Sequence, residues 1–260
     1  MYYNLLLVKA QDKCYHRHLS DSTIQTVVRY YESRNESDRL METYYYWGRA
    51  YMDMHETPRA LETFQKAMEV FCNTQKYDIL GLIYSQTATL YVYQDIYEEA
   101  LPMYRNALKY FYLADDTLAI PHALRDIGRM FKVIENEDST FFYYKKSYQY
   151  ANQIGDLRRK NSITGELATL YIQSNQYDKA TKLLYMLSTY DISQRNLAQY
   201  YNNWGDYYQK NEMVDSAAYC YLKSISYDNL YAKPHSYWKI YELEARLHNY
   251  PQMITYINRY

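Results

Sequence analysis

Glycine, proline and cysteine are scarce in this sequence. Only 6 of its 260 residues are glycine and 5 are proline, which argues against an all-β fold with many tight turns. The three cysteines, Cys14, Cys72 and Cys220, stand far apart and form neither a CxxC motif nor a disulfide framework. We therefore expect each of them to be a small buried side chain.

The sequence also lacks an excess of either charge and any long hydrophobic run. Lysine and arginine number 29 against 30 aspartates and glutamates, so no overall charge favours nucleic acid or an anionic membrane as a partner. No window reaches the ~18 uncharged apolar residues typical of a membrane-spanning helix. The short run Leu5–Val8 is followed at once by Lys9, unlike a signal peptide. We predict neither nucleic-acid binding nor a membrane span in this segment.

Catalytic motifs are missing as well. The sequence has no phosphate-binding GxxxxGK[ST] loop, no HExxH zinc motif and no GxSxG nucleophile elbow. We therefore predict no enzymatic activity and no cofactor. An enzyme built on a helical array is the alternative that the sequence supports least.

One short segment carries side chains that can bind metal. Cys14, His16 and His18 lie close together in the chain, and a thiolate and two imidazoles are ligands that zinc accepts. A closed zinc site needs about four ligands, however, and no second cluster offers the rest. We interpret the segment as a polar loop between the first two helices and keep these three residues as a weak zinc candidate.

Small and aromatic residues recur along the chain at a fixed spacing. Tyr44, Trp47, Gly48 and Tyr51 form one such group, and the pattern continues in the next helix with Ala60, Phe64 and Ala67. The small residue of the first group returns in four further copies, at Ala88, Gly128, Ala168 and Gly205. Spacings of 3, 4 and 7 are those of one face of an α-helix. We expect each small residue to lie where the two helices of a pair cross.

On these residues the chain resembles the tetratricopeptide repeat family, whose signature is W-x2-L-G-x2-Y followed by an alanine and an aromatic residue. The resemblance implies an all-α fold, an α–α superhelix of about seven antiparallel helix pairs. Here the period is mostly 40 residues instead of about 34, as in long-period, tyrosine-rich bacterial examples. We predict a single array with these divisions: an atypical pair at 1–35, repeats at 37–76, 77–116, 117–156, 157–192 and 193–228, and a weak, truncated copy at 230–260.

The resemblance also implies where a partner binds. In such arrays the first helix of each pair lines a concave groove that holds a protein or peptide segment. Carried over by repeat position, the expected partner-binding residues are Tyr45, Arg49, Gln86, Tyr93, Arg125, Arg129, Lys132, Asn202, Asn203 and Trp238. Arg125 and Arg129 are one helical turn apart, a spacing that suits a carboxylate or a phosphate.

The predicted function is a non-catalytic scaffold that binds a protein or peptide, with the sensor or regulatory part of a longer bacterial protein as its setting. By family resemblance that setting is the periplasm or cell envelope, as part of an anchored protein, with the cytoplasm as the alternative. A second hypothesis is a structural module that dimerises through its C-terminal end, where Tyr241, Ile254 and Ile257 would be exposed.

Overall fold

The described part of the chain consists of helices joined by short turns. The computed structural model describes residues 1–34, 36–71, 74–189, 194–227, 229, 232–247, 252 and 255–256. Within these ranges there is no β-strand, which confirms the all-α class. None of the described helices is long and apolar enough to cross a bilayer. The helices are α1 Tyr2–Lys13, α2 Ser22–Glu32, α3 Ser37–Asp53, α4 Thr57–Val70, α5 Tyr77–Tyr93, α6 Tyr97–Leu113, α7 Ile120–Val133, α8 Glu137–Gln153, α9 Leu157–Gln173, α10 Tyr177–Ser188, α11 Gln194–Lys210, α12 Val214–Ile225 and α13 Lys233–Arg246.

The chain divides into two compact units, unit 1 at Met1–Tyr143 and unit 2 at Tyr144–Tyr260. In unit 1 each helix from α1 to α6 packs on the next one, and α3 also contacts α1 and α5. In unit 2 the same holds from α9 to α12, with α11 contacting both α9 and α13. Each unit is therefore a row of helix pairs whose first helices also touch one another.

The turns inside the pairs that the structure describes share one backbone geometry. After each first helix from α1 to α11, one non-glycine residue adopts a positive φ near +60°: Tyr15, His55, Asp95, Glu135, Asn175 and Glu212. In the turn after α3, the amide of Glu56 donates to the carbonyl of Tyr51 at 2.9 Å, as in the Schellman motif that closes helix ends. Tyr15 precedes His55 by 40 residues, so the N-terminal pair follows the same register although it lacks the signature.

The small residues of the signature lie at helix crossings, as predicted. A Cβ added at Gly48 would come within 2.4 Å of the Phe64 ring, and one at Gly205 within 2.4 Å of the Tyr221 ring. These contacts leave no room for a side chain. A third close approach, Gly81 against Phe111 at 2.6 Å, does not belong to the signature and was not predicted.

The cysteine prediction is correct for one residue and wrong for another. Cys220 is buried, and burial raises the pKa of its thiol to about 11. Cys14 is exposed, because it follows the last turn of α1 and enters the connection to α2. Cys72 lies outside the described residues.

Candidate functional site

The polar face formed by the first helices is the candidate site. We number repeat positions from residues 1, 41, 81 and 121 in unit 1 and from 161, 198 and 234 in unit 2. Positions 2, 6, 9, 12 and 13 then lie on one side of each first helix, which we call the first-helix face. Side chains at these positions bond to their counterparts on the next first helix, in three types of contact that occur in both units.

In unit 1 these contacts are mostly ionic. Lys9 at position 9 pairs with Glu42 at position 2 of the next first helix. Arg49 is the centre of the other two contacts. Its Nε donates to Asp12 Oδ1 at 3.0 Å, and its Nη1 donates to Gln86 Oε1 at 3.1 Å. One arginine therefore connects α1, α3 and α5 across the face.

In unit 2 the same three contacts use mainly neutral groups. Position 9 meets position 2 where Asp206 Oδ1 and His235 Nε2 lie 2.8 Å apart. Position 9 meets position 6 where Thr169 Oγ1 donates to Asn203 Oδ1 at 2.9 Å. Position 12 meets position 9 where Gln209 Nε2 donates to a Glu242 carboxylate oxygen at 3.3 Å.

Buried tyrosines of the second helices also reach this face with their hydroxyl groups. Tyr104 OH lies 3.1 Å from Thr89 Oγ1, and Tyr221 OH lies 2.8 Å from Asp206 Oδ1. Burial, and then the nearby Asp126 carboxylate, raises the pKa of Tyr104 to about 12. Burial raises the pKa of Tyr221 as well, and Asp206 adds to that effect. These rings are core residues, as their signature positions imply, but their hydroxyls also hold polar groups of the face in place.

Three of the predicted partner-binding residues are buried, which corrects that part of the prediction. The Tyr45 ring is only 4% exposed and packs beside Phe64 at a centroid distance of 6.2 Å. Asn202 and Asn203 are fully buried. Asn202 Nδ2 donates to the carbonyl of Ala232, and Asn203 Nδ2 donates to the carbonyl of Gly165, both at 3.0 Å. Their amides therefore join neighbouring pairs and are not displayed to a partner.

The predicted anion-binding pair on α7, Arg125 and Arg129, already has a carboxylate of this chain beside it. Arg125 donates from Nε and Nη2 to Asp126 Oδ1, at 3.0 and 2.8 Å. Arg129 Nη1 lies 3.7 Å from the same oxygen and is more exposed than Arg125. Lys132 is the third cation of this helix and is half-buried. Arg129 and Lys132 thus remain candidates for contact with a partner, while Arg125 is held by its neighbour.

The other two aromatic residues among the predicted partner-binding residues, Tyr93 and Trp238, lie at the surface. Tyr93 is 70% exposed at the end of α5. Trp238 is 39% exposed, and its Nε1 donates to Glu242 Oε1 at 2.9 Å. Gln86 is half-buried and accepts from Arg49, as described above. Tyrosine and tryptophan rings at the surface are common at binding hot spots, so Tyr93 and Trp238 both remain candidates.

The weak zinc candidate is not supported. Cys14 and His16 are exposed, whereas His18 is buried and its backbone amide donates to Asp53 Oδ2 at 3.0 Å. Among the residues that the structure describes, no three His, Cys, Asp or Glu side chains form a group that could hold a metal ion. For the predicted C-terminal dimer contact, Ile254 and Ile257 lie outside the described residues, and Tyr241 is half-buried.

Solved structures contain the same arrangement of helix pairs. BtubC (BKLC) from P. vanneervenii is 17% identical, with a TM-score of 0.65 over 84% of this chain and 89% of that chain. A signal transduction ATPase with numerous domains from Pyrococcus horikoshii, which has a tetratricopeptide repeat sensor, is 15% identical. Its TM-score is 0.74 over 99% of this chain and 43% of that chain.

The apo form of the quorum sensor NprR from B. thuringiensis is a third match. It is 13% identical, with a TM-score of 0.73 over 99% of this chain and 74% of that chain. No protein-family model matches the sequence, and no curated protein matches it at a significant level. Since all these identities are low, the likeness shows the fold alone: the chain has the tetratricopeptide-repeat fold.

Proposed function

We propose that this chain is a non-catalytic module that binds a protein or peptide segment along its first-helix face. The observation that carries the proposal is the row of polar contacts between successive first helices. These contacts fix the side chains of the face before any ligand arrives. Binding would therefore cost less conformational entropy, because the face is already ordered.

The face supplies groups suited to a peptide. The Gln86 amide can both donate to and accept from a peptide backbone. Arg129 offers a partly exposed guanidinium, and Tyr93 offers an exposed ring. An amide, a cation and an aromatic ring on α5 and α7 together suit an extended segment that carries an acidic and an apolar side chain.

The matched structures favour a sensor or regulatory role. The Pyrococcus horikoshii protein is described as having a tetratricopeptide repeat sensor, and NprR is described as a quorum sensor. This chain corresponds to 43% of the first and 74% of the second. We infer that the chain acts as the ligand-binding part of a larger regulatory protein.

Selection from a displayed library of random peptides, followed by fluorescence anisotropy on the selected peptides, tests the proposal. Tyr93→Ala and Arg129→Ala should each weaken binding about tenfold, the loss expected on removing one contact worth about 1.4 kcal/mol. Tyr185→Ala is the matched control, because Tyr185 is 64% exposed but lies on α10, a second helix. The proposal fails if Tyr185→Ala weakens binding as much as Tyr93→Ala does.

A further inference from the structure

Helix α1 has apolar side chains on two opposite sides. Leu5 and Val8 point into the core and are 1% and 3% exposed. Tyr3, Leu6 and Leu7 are 74%, 42% and 41% exposed. At 100° per residue these three fall on one side of the helix together with Ala10, opposite Leu5 and Val8. We call these four residues, Tyr3, Leu6, Leu7 and Ala10, the α1 stripe.

The next first helix shows what this side of the helix normally does. Forty residues on, Thr43, Tyr46 and Ala50 of α3 are 0%, 3% and 0% exposed, and Trp47 is half-buried against the core. Helix α2 lies on this side, since Trp47 Nε1 donates to Asp21 Oδ2 just before α2 at 3.2 Å. In α5 the corresponding residues Ile83, Thr87 and Leu90 are buried as well, and Gln86 is half-buried. The α1 stripe is thus the surface that receives a helix in the following pairs, and in the described chain it is uncovered.

The spacing of the stripe indicates that its occupant is a helix. Tyr3, Leu7 and Ala10 stand at i, i+4 and i+7, with Leu6 beside them, which is the spacing of a coiled-coil seam. The stripe contains no charged residue, so it meets a copy of itself without repulsion. Ala10 is small, and this permits two helix backbones to approach closely.

We propose that the α1 stripe is a self-association surface, on which α1 of a second copy of this chain packs about a two-fold axis. The exposed parts of the stripe and of Tyr2 amount to about 500 Å² per copy. Two copies would bury at most about 1,000 Å², the size of a weak, reversible interface. The dimer is therefore weak and reversible, and its surface borders the first-helix face, with which it shares Leu6 at position 6.

Sedimentation velocity on the full chain over about 1–300 µM tests this proposal. The wild-type mass should rise from 31.5 kDa towards twice that value. Tyr3→Glu alone, and Leu6→Glu with Leu7→Glu, should raise the dissociation constant at least tenfold. The matched control, Leu157→Glu with Leu222→Glu, changes leucines that are 55% and 49% exposed elsewhere and should dimerise as the wild type does.

Mixing two charge variants shows whether the stripe meets itself. The Leu6→Glu, Leu7→Glu protein and the Leu6→Lys, Leu7→Lys protein should each be monomeric, whereas their equimolar mixture should form a heterodimer. The proposal is overturned if the wild type stays monomeric throughout, if the glutamate variants dimerise as the wild type does, or if the mixture remains monomeric. Circular dichroism confirms that each variant is folded, and Tyr3→Glu provides the most conservative test because that side chain is the most exposed.

Discussion

The first-helix faces of the two units make the same contacts with different chemistry. In unit 1 the contact from position 12 to position 9 is an ion pair between Asp12 and Arg49, and in unit 2 it is an amide–carboxylate bond between Gln209 and Glu242. Asn203 in unit 2 is fully buried, whereas Arg49 keeps a quarter of its side chain exposed. The repeat position thus determines which side chains of successive first helices are in contact. The residue type determines how strong each contact is.

This difference has a consequence for binding. The Arg49–Gln86 contact is a single hydrogen bond between two half-buried side chains, so Arg49 can exchange Gln86 for a ligand at small cost. A buried amide that loses its partners costs more, so Asn202 and Asn203 stay fixed. Unit 1 therefore has the more adaptable face, and unit 2 the more rigid one.

The largest predicted effect tests whether the units differ only on this face. Gly48→Ala in unit 1 and Gly205→Ala in unit 2 each push a Cβ to 2.4 Å from a ring, so both should lower the free energy of unfolding by about 3 kcal/mol. Gly165→Ala is the control, since nothing lies within 4 Å of its added Cβ, and it should be neutral or stabilising. Urea titration followed by circular dichroism measures all three. Unequal losses at Gly48 and Gly205 would show that the cores differ too.

The next prediction compares equivalent position-6 residues of the two faces. Asn203→Ala removes a buried amide that joins Gly165 and Thr169, and should cost about 2 kcal/mol. Gln86→Ala removes the acceptor of one Arg49 hydrogen bond but leaves the ion pair of Arg49 with Asp12, and should cost less than about 1 kcal/mol. The same urea titrations measure both losses. If Gln86→Ala costs as much as Asn203→Ala, unit 1 is not the more adaptable face.

The sequence predicts the helix crossings well and the polar face only in part. Gly48 and Gly205 are predictable because a small residue at helical spacing before an aromatic residue has one evident packing role. Position 5 places Tyr45 towards the groove, yet its ring turns into the core. Whether Asn202 faces a partner or the carbonyl of Ala232 depends on how two helices 30 residues apart in the chain approach each other. Local spacing does not contain that information.

The exposed side of α1 is hard to predict for a related reason. Leu5, Leu6, Leu7 and Val8 look like one short hydrophobic run in the sequence. Helical geometry separates them into two sides, of which Leu5 and Val8 are buried and the other two are exposed. The 40-residue register also applies to α1, and Tyr15 marks its turn. The signal in the sequence for the uncovered side is therefore this register, which places Tyr3, Leu6 and Ala10 at the positions of Thr43, Tyr46 and Ala50.

A smaller effect concerns the turns, where we expect the two units to behave alike. Glu135 and Glu212 have φ values of 57° and 60° without the advantage of glycine. Replacing either by glycine should stabilise the protein by about 0.5–1 kcal/mol, because a left-handed conformation strains a side chain with a Cβ. Asn175→Gly is the control and should give a smaller gain, since asparagine tolerates this conformation. Thermal unfolding of the three variants measures these gains, and a loss at Glu135 or Glu212 would contradict the strain argument.

The smallest predicted effect is the pH dependence of Glu242, a strongly bonded carboxylate on the rigid face. Burial alone would raise the pKa of Glu242, but hydrogen bonds from Lys239, Gln209 and Trp238 outweigh burial, and the pKa lies below its usual value. A lowered pKa stabilises the fold above pH ~4.5, and this contribution disappears as the pH falls through the lower value in the folded protein. Glu242→Gln should therefore cost about 0.5 kcal/mol at pH 7 and clearly less near pH 3.

Asn203→Ala provides the control for that experiment, because its amide does not titrate and its cost should be the same at both pH values. Urea titrations of the wild type and the two variants at pH 7 and near pH 3 give the comparison. If the cost of Glu242→Gln is also independent of pH, the carboxylate charge contributes nothing. The Gln209–Glu242 contact of unit 2 would then behave as a neutral hydrogen bond, in contrast to the ionic Asp12–Arg49 contact at the same positions of unit 1.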